Sequence, residues 1–97
     1  MNEADSIEAT VNAIVPSLRV DVLGARAFRV SRAWFAKGIA SGSVSVNGKV
    51  AGKSATAAAG DRVTARELGE FEISSVDGET KRGNLKVSLL VTRQARA

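Results

Sequence analysis

Cysteine, histidine and tyrosine are all missing from the 97 residues. Without cysteine there are no disulfides, no thiolate metal ligands and no thiol nucleophile. Without histidine the chain lacks the commonest general base and the commonest metal ligand. Proline occurs once, at Pro16, and the aromatic side chains amount to three Phe and one Trp. No apolar run approaches the length of a membrane span, and the acidic N-terminus carries no signal-peptide pattern. These absences point away from catalysis, cofactors and metals and towards a cytoplasmic protein. Hydrophobic residues make up 44% of the chain, many of them Ala. A single small domain with a thin core of Val, Leu and Ile is expected.

What is present is positive charge, unevenly placed. Lys and Arg number 14 against 10 Asp and Glu. Residues 1–18 hold Glu3, Asp5 and Glu8 and no cation, for a net −3, whereas residues 19–97 hold +7. A compact basic body preceded by an acidic leader suits a polyanionic partner, although a basic surface can equally serve solubility alone.

The chain divides on that boundary. Residues 1–18 read as a leader ending near Pro16, either a short helix, since Ile7, Val11 and Ile14 recur at helical spacing, or disordered. A first helix is expected from Ser17 or Leu18, with Val20, Leu23 and Ala27 on its core face and Arg19 and Arg26 together on a neighbouring one. Ser31 reads as the N-cap of a second helix that stops before Gly42. Phe35, Ala36 and Ile39 form its core stripe, and Trp34, Lys37 and Ser41 share its outer face.

The periodicity then changes to two. Val44 and Val46 lead into Asn47-Gly48, a strong type I′ hairpin signal. A Gly/Ala/Ser loop follows over 51–59, then a strand over 62–67. A closing hairpin has strands at 70–76 and 84–92 and a loop at 77–83. In its last strand Leu85, Val87, Leu89 and Val91 alternate as in a half-buried strand. The expected fold is α+β: two N-terminal helices packed on a small antiparallel sheet of about five strands, with a C-terminal hairpin.

Four segments in this order resemble a known family: Arg19-Val20-Asp21; Ser31-Arg32; Ser41-Gly42-Ser43-Val44-Ser45-Val46-Asn47-Gly48-Lys49; and Gly60-Asp61-Arg62-Val63. The family is the alpha-L RNA-binding domain, first described in ribosomal small-subunit protein four, and the likeness covers residues 19–67. Glu70-Phe71 and Gly78-Glu79-Thr80-Lys81-Arg82-Gly83 are similar to the extra hairpin of one subfamily. Its members are bacterial RNA-binding proteins encoded near cell-division genes and related proteins named for photosystem II in cyanobacteria. There the domain ends a longer protein, which would make this chain an excised domain or a short relative. The resemblance implies binding to structured RNA, ribosomal or transfer RNA, and contact with the ribosome. Carried over by position, it nominates Arg19, Arg32, Lys37, Asn47, Lys49 and Lys53, with Arg29 adjoining them. The sequence departs from the family at Ser43, usually Arg, at Gly24 and Gly38, usually Leu, at Phe35, usually Ala, and at Asn84, usually basic. Phe35 is expected to refill volume left at the glycines.

Each candidate has a competing role. Arg32, at a helix start, suits a phosphate or an ion pair with Asp21. Lys49 and Lys53 suit an RNA backbone or the guarding of a sheet edge. Lys81 and Arg82 form the densest basic pair, on a hairpin tip, for RNA or for solvation. Trp34 beside Lys37 suits stacking on an unpaired base, although the simpler reading has the leader folding over the helices, with Ile7 or Ile14 against the indole. Glu67, Glu70 and Glu72 read as a solvated or salt-bridged patch. Two further functional readings stay open. One is a protein-interaction module that kept the fold and lost RNA affinity. The other is the RNA-targeting domain of a larger RNA-modifying enzyme, such as a pseudouridine synthase or an RNA methyltransferase.

Overall fold

The computed structural model describes residues 6–94. Strand β1 (Ser6–Val15) precedes helices α1 (Val20–Phe28) and α2 (Arg32–Ala40). Strands β2 (Val44–Val46), β3 (Lys49–Val50), β4 (Arg62–Ala65), β5 (Gly69–Glu79) and β6 (Leu85–Gln94) follow. All pair antiparallel in one sheet of order β1-β6-β5-β4-β2-β3. The architecture is therefore α+β, two helices on a six-strand sheet closed by the β5–β6 hairpin. Among the described residues no helix is long and apolar enough to cross a membrane.

The helices cover one face of the sheet. Val63, Phe71, Ile73 and Leu89 point into the core from the strands, and Val20, Leu23, Phe28 and Phe35 meet them from the helices. Each is at most 1% exposed, and burying a side chain of this size contributes about 1.5–3 kcal/mol. Phe28 organises the aromatic centre. It lies near-parallel to Phe35, ring centroids 6.1 Å apart, and edge-on to Phe71 at 5.8 Å.

Local signals set several boundaries. The Ser31 hydroxyl accepts from the Trp34 N–H at 3.0 Å and caps α2. Asn47 and Gly48 take φ of 51° and 87°, the pair of positive values a type I′ turn requires. In β6, Val87, Leu89 and Val91 are buried as the alternation requires.

Three expectations are corrected. Of the leader, Ser6–Val15 is a strand and not a helix, while residues 1–5 lie outside the described ones. The spacing of Val11 and Ile14 fits a helix, but Val11, Ala13 and Val15 also alternate. The inward row packs on the core while ten residues pair with β6, whose edge would otherwise be bare. Helix α1 begins at Val20, later than expected. Leu18 O accepts from Ala57 N and Val20 N donates to Ala55 O, so residues 18–20 bridge to the 51–59 loop before the helix starts. Finally, β5 runs on to Glu79 through two register shifts, leaving a tip over residues 80–84 shorter than the expected loop. Bulges let polar Ser74 and Asp77 sit in the strand without breaking the pairing.

Candidate nucleic-acid interface

The bridge between residues 18–20 and the 51–59 loop brings chain-distant cations together. Asp21, in the first turn of α1, is 6% exposed and sits at their centre. Arg19 Nε donates to its Oδ1 and Arg19 Nη2 to its Oδ2, each at 3.2 Å. Arg32 Nε donates to Oδ2 at 3.4 Å. Arg19 Nη2 also reaches Lys53 O at 3.5 Å, which seats the 51–59 loop against the pair. One carboxylate thus holds two arginines from the starts of two helices, beside a third cation on the loop.

The arginine side chains stay open to solvent, at 40% for Arg19 and 53% for Arg32. A guanidinium carries five N–H donors in a planar fork. Among the described residues Arg32 uses its Nε only, so both terminal nitrogens are without a partner on a side chain that is half exposed. The competing roles of Arg32, ion pair and anion contact, are compatible in this geometry. Its place in the first turn of α2 adds the partial positive charge of the helix start.

The other candidates lie elsewhere on the surface. Arg29 takes αL geometry at the C-terminal end of α1, about 15 Å of helix rise from Arg19. Arg26, expected beside Arg19, donates instead to Ile14 O at 3.1 Å and ties α1 to β1. Arg19 is the N-cap and has left the helical path, which is why the two do not share a face. Lys49 is exposed on β3, the sheet edge opposite β1. Lys81 and Arg82 sit on the β5–β6 tip, exposed and without an ion pair among the described residues.

Asn47 is committed internally. Its Nδ2 donates to Asp61 Oδ1 at 3.0 Å, and its Oδ1 accepts from Arg62 N at 2.9 Å. Asp61 Oδ2 also accepts from Ala58 N at 2.9 Å. These bonds to the charged form, the Asn47 amide foremost, hold the Asp61 carboxyl below the usual range. Asn47 and Asp61 together clamp the β2–β3 turn to the end of the 51–59 loop, and so support the loop that carries Lys53.

Trp34 is 53% exposed on α2. With Lys37 it lines a groove whose far wall is the turn between β4 and β5, with Arg66 and Glu67. The described part of the leader, Ser6–Val15, does not cover it. Strand β1 lies at the opposite edge of the sheet, and Ile14, paired across from Lys86, is itself exposed. Arg66, unmarked in the sequence, enters this site only through the fold, because Arg66 N donates to Ser43 O at 2.9 Å and docks the turn on the start of β2.

Charge is segregated across the sheet. Residues 16–60, which hold both helices and the loop, contain seven cations and a single carboxylate, Asp21. The uncovered sheet face bears Glu70 and Glu72, both bound to Arg62 at 3.5 Å. This is the salt-bridged form of the acidic patch, with Glu67 apart from it in the β4–β5 turn. Glu8 and Asp77 add to that face, where Ser88 Oγ bonds both Asn12 and Asp77, and Lys86 joins Arg62 as a cation among these four carboxylates. Among the described residues no group of three His, Cys, Asp or Glu could hold a metal.

Compared with protein-family models and with curated protein sequences, the chain matches none.

Proposed function

We propose that this domain binds structured RNA, of the ribosomal or transfer class, through the face formed by α1, α2 and the 51–59 loop. The observation that carries the reading is the Asp21 hub. It fixes Arg19 and Arg32 side by side, seats the Lys53 loop against them, and leaves donor edges of Arg32 turned to solvent. A-form RNA hides its major groove from side chains, so proteins engage it through phosphates, 2′-hydroxyls and shape. The preset Arg32 fork meets that demand, because its two terminal nitrogens can take a phosphate in bidentate fashion, while Arg19, bound to Asp21 and to Lys53 O, adds positive charge beside it. Lys37 and Arg29 extend the positive field, and the acidic opposite face orients the domain as it approaches. Asn47 and Asp61 act as supports of the loop. Lys49, Lys81 and Arg82 lie at the periphery and add long-range attraction. The reading assigns no catalysis, and an RNA of this class places the protein in the cytoplasm.

The test is a titration of a fluorescent RNA hairpin at several salt concentrations. Each neutralised phosphate contributes a log–log slope of order −0.7 to −0.9, and about three to five effective contacts are expected. Undetectable binding at low salt overturns the reading and leaves the same face to a protein partner.

A further inference from the structure

We infer that the groove between α2 and the β4–β5 turn is a binding site for one unpaired nucleotide of an RNA strand, its base on Trp34 and its phosphate on Lys37 and Arg66. The inference rests on the RNA reading and adds a second, separate contact to it. The groove encloses about 400 Å³, within the range of small-ligand sites. Its floor is open because Gly38 and Ser43 bring almost no side chain to it, and a Cβ at Gly38 would meet only Val44 Cγ2, at 3.8 Å. Trp34, Gly38 and Ser41 follow one another at helical spacing and line the groove together, with Phe35 and Val44 as its apolar base.

The chemistry of the walls selects the occupant. An exposed indole offers a flat apolar platform, which an unstacked base of any identity can use. Lys37 and Arg66 supply cations on opposite rims, and only one carboxylate, Glu67, lines the groove with them. Glu67 is placed to accept from an exocyclic amino group or a 2′-hydroxyl, both donors that an unpaired ribonucleotide presents. The rims are held in place. Ser31 caps the turn that carries Trp34, and Ser43 O anchors Arg66 N. Aromatic face, flanking cations and an acceptor together fit a nucleotide. A purely apolar partner would leave Lys37, Arg66 and Glu67 desolvated and unpaired.

Trp34 is the chain's one tryptophan, so its fluorescence reports on this groove alone. The full chain is titrated with a four-nucleotide oligoadenylate and, separately, with a fully paired RNA duplex. Saturable quenching by the oligonucleotide is expected. Read by the anisotropy of a dye-labelled oligonucleotide, Trp34→Ala should weaken oligonucleotide binding roughly tenfold and leave duplex affinity unchanged, while Trp34→Phe keeps most of the affinity and guards against a folding artefact. Lys37→Ala and Arg66→Ala should each weaken the oligonucleotide several-fold. Duplex binding that depends on Arg32 but comes with no oligonucleotide quenching overturns this inference and leaves the RNA reading intact. Loss of both interactions overturns both. An emission shift that follows protein concentration and ignores oligonucleotide makes the groove a self-association surface and likewise overturns the inference.

Discussion

The ring of Phe35 lies directly against the Cα of Gly24, so a Cβ at position 24 would fall inside the ring, within 2.6 Å of Cδ2. The glycine in α1 and the phenylalanine in α2 form one packing unit. The missing side chain admits the ring, and the ring fills the space beside Phe28. This close approach lets the two helix starts converge on Asp21, so the packing pair and the arginine pair are parts of one geometry.

Gly24→Ala should therefore destabilise the protein although alanine is the better helix former. Helix propensity favours the change by about 1 kcal/mol. Overpacking against a ring only 1% exposed should cost about 3 kcal/mol, for a net loss of about 2 kcal/mol by denaturant titration. Phe35→Ala should cost about 3–5 kcal/mol through the cavity it leaves. A stabilised Gly24→Ala protein would contradict the close approach.

Asp21→Asn separates positioning from net charge. The change makes the binding face more positive, so attraction counted by charge alone predicts tighter RNA binding. The hub predicts the opposite, because Arg19 and Arg32 lose the acceptor that holds them. Affinity should fall several-fold, and stability by about 1–2 kcal/mol, the contribution of charge-assisted bonds that are partly screened. Dissociation constants and melting curves on one preparation decide it, and tighter binding by a folded Asp21→Asn protein would remove the hub from the account.

Arg32→Ala should weaken binding to a structured RNA about tenfold, the effect of losing a well-held charged contact. The double change of Lys81 and Arg82 to Ala should cost less, since those side chains are ordered only on binding and are screened by solvent. Paired dissociation constants on one hairpin, with thermal midpoints for both variants, measure the contrast. If the hairpin variant loses more affinity while both proteins stay folded, the principal RNA contact lies on the β5–β6 tip.

Acid should loosen the clamp between the β2–β3 turn and the loop. The Asp61 carboxyl is held below its ordinary value by Asn47 and Ala58 N–H. A depressed folded-state pKa gives stability that is present above the unfolded value, about 3.9. That stability is lost as pH falls through the lower, folded value. Asp61→Asn should flatten the decline of stability below about pH 4, and the same flattening in Asn47→Ala would assign the effect to that bond. Denaturation midpoints across the acid range give the comparison. An unchanged slope in both variants would show that other carboxylates control it.

Much of the fold was legible because its signals are local. A serine ahead of an amphipathic turn at 31, Asn-Gly at 47–48 and strict alternation from 85 to 91 each concern a few neighbouring residues. Backbone sterics and one capping bond settle such segments wherever they occur. Phe35 as the filler of the gaps at Gly24 and Gly38 was an expectation from the family resemblance, and the structure sets its ring against Gly24 and not against Gly38.

The leader shows where that reading stops. Ile7, Val11 and Ile14 fit a helix and Val11, Ala13 and Val15 fit a strand, and nothing within fifteen residues chooses between them. The choice came from β6, seventy or more residues along the chain, whose unpaired edge it satisfies. Nor does the sequence say that Arg19, Arg32 and Lys53 share a surface, or that Arg66 faces Trp34. Those neighbours are 34 residues apart in the first case and 32 in the second. They meet only because backbone groups at 18–20 and 43 pair with distant loop backbone. Beyond the leader, the sequence by itself determined the type and order of most elements and their hydrophobic faces, since these depend on short-range sterics and periodicity. The tertiary structure alone decided which edge took the leader and which cations became a site, since hydrogen-bond pairing and close packing join residues without regard to their separation along the chain.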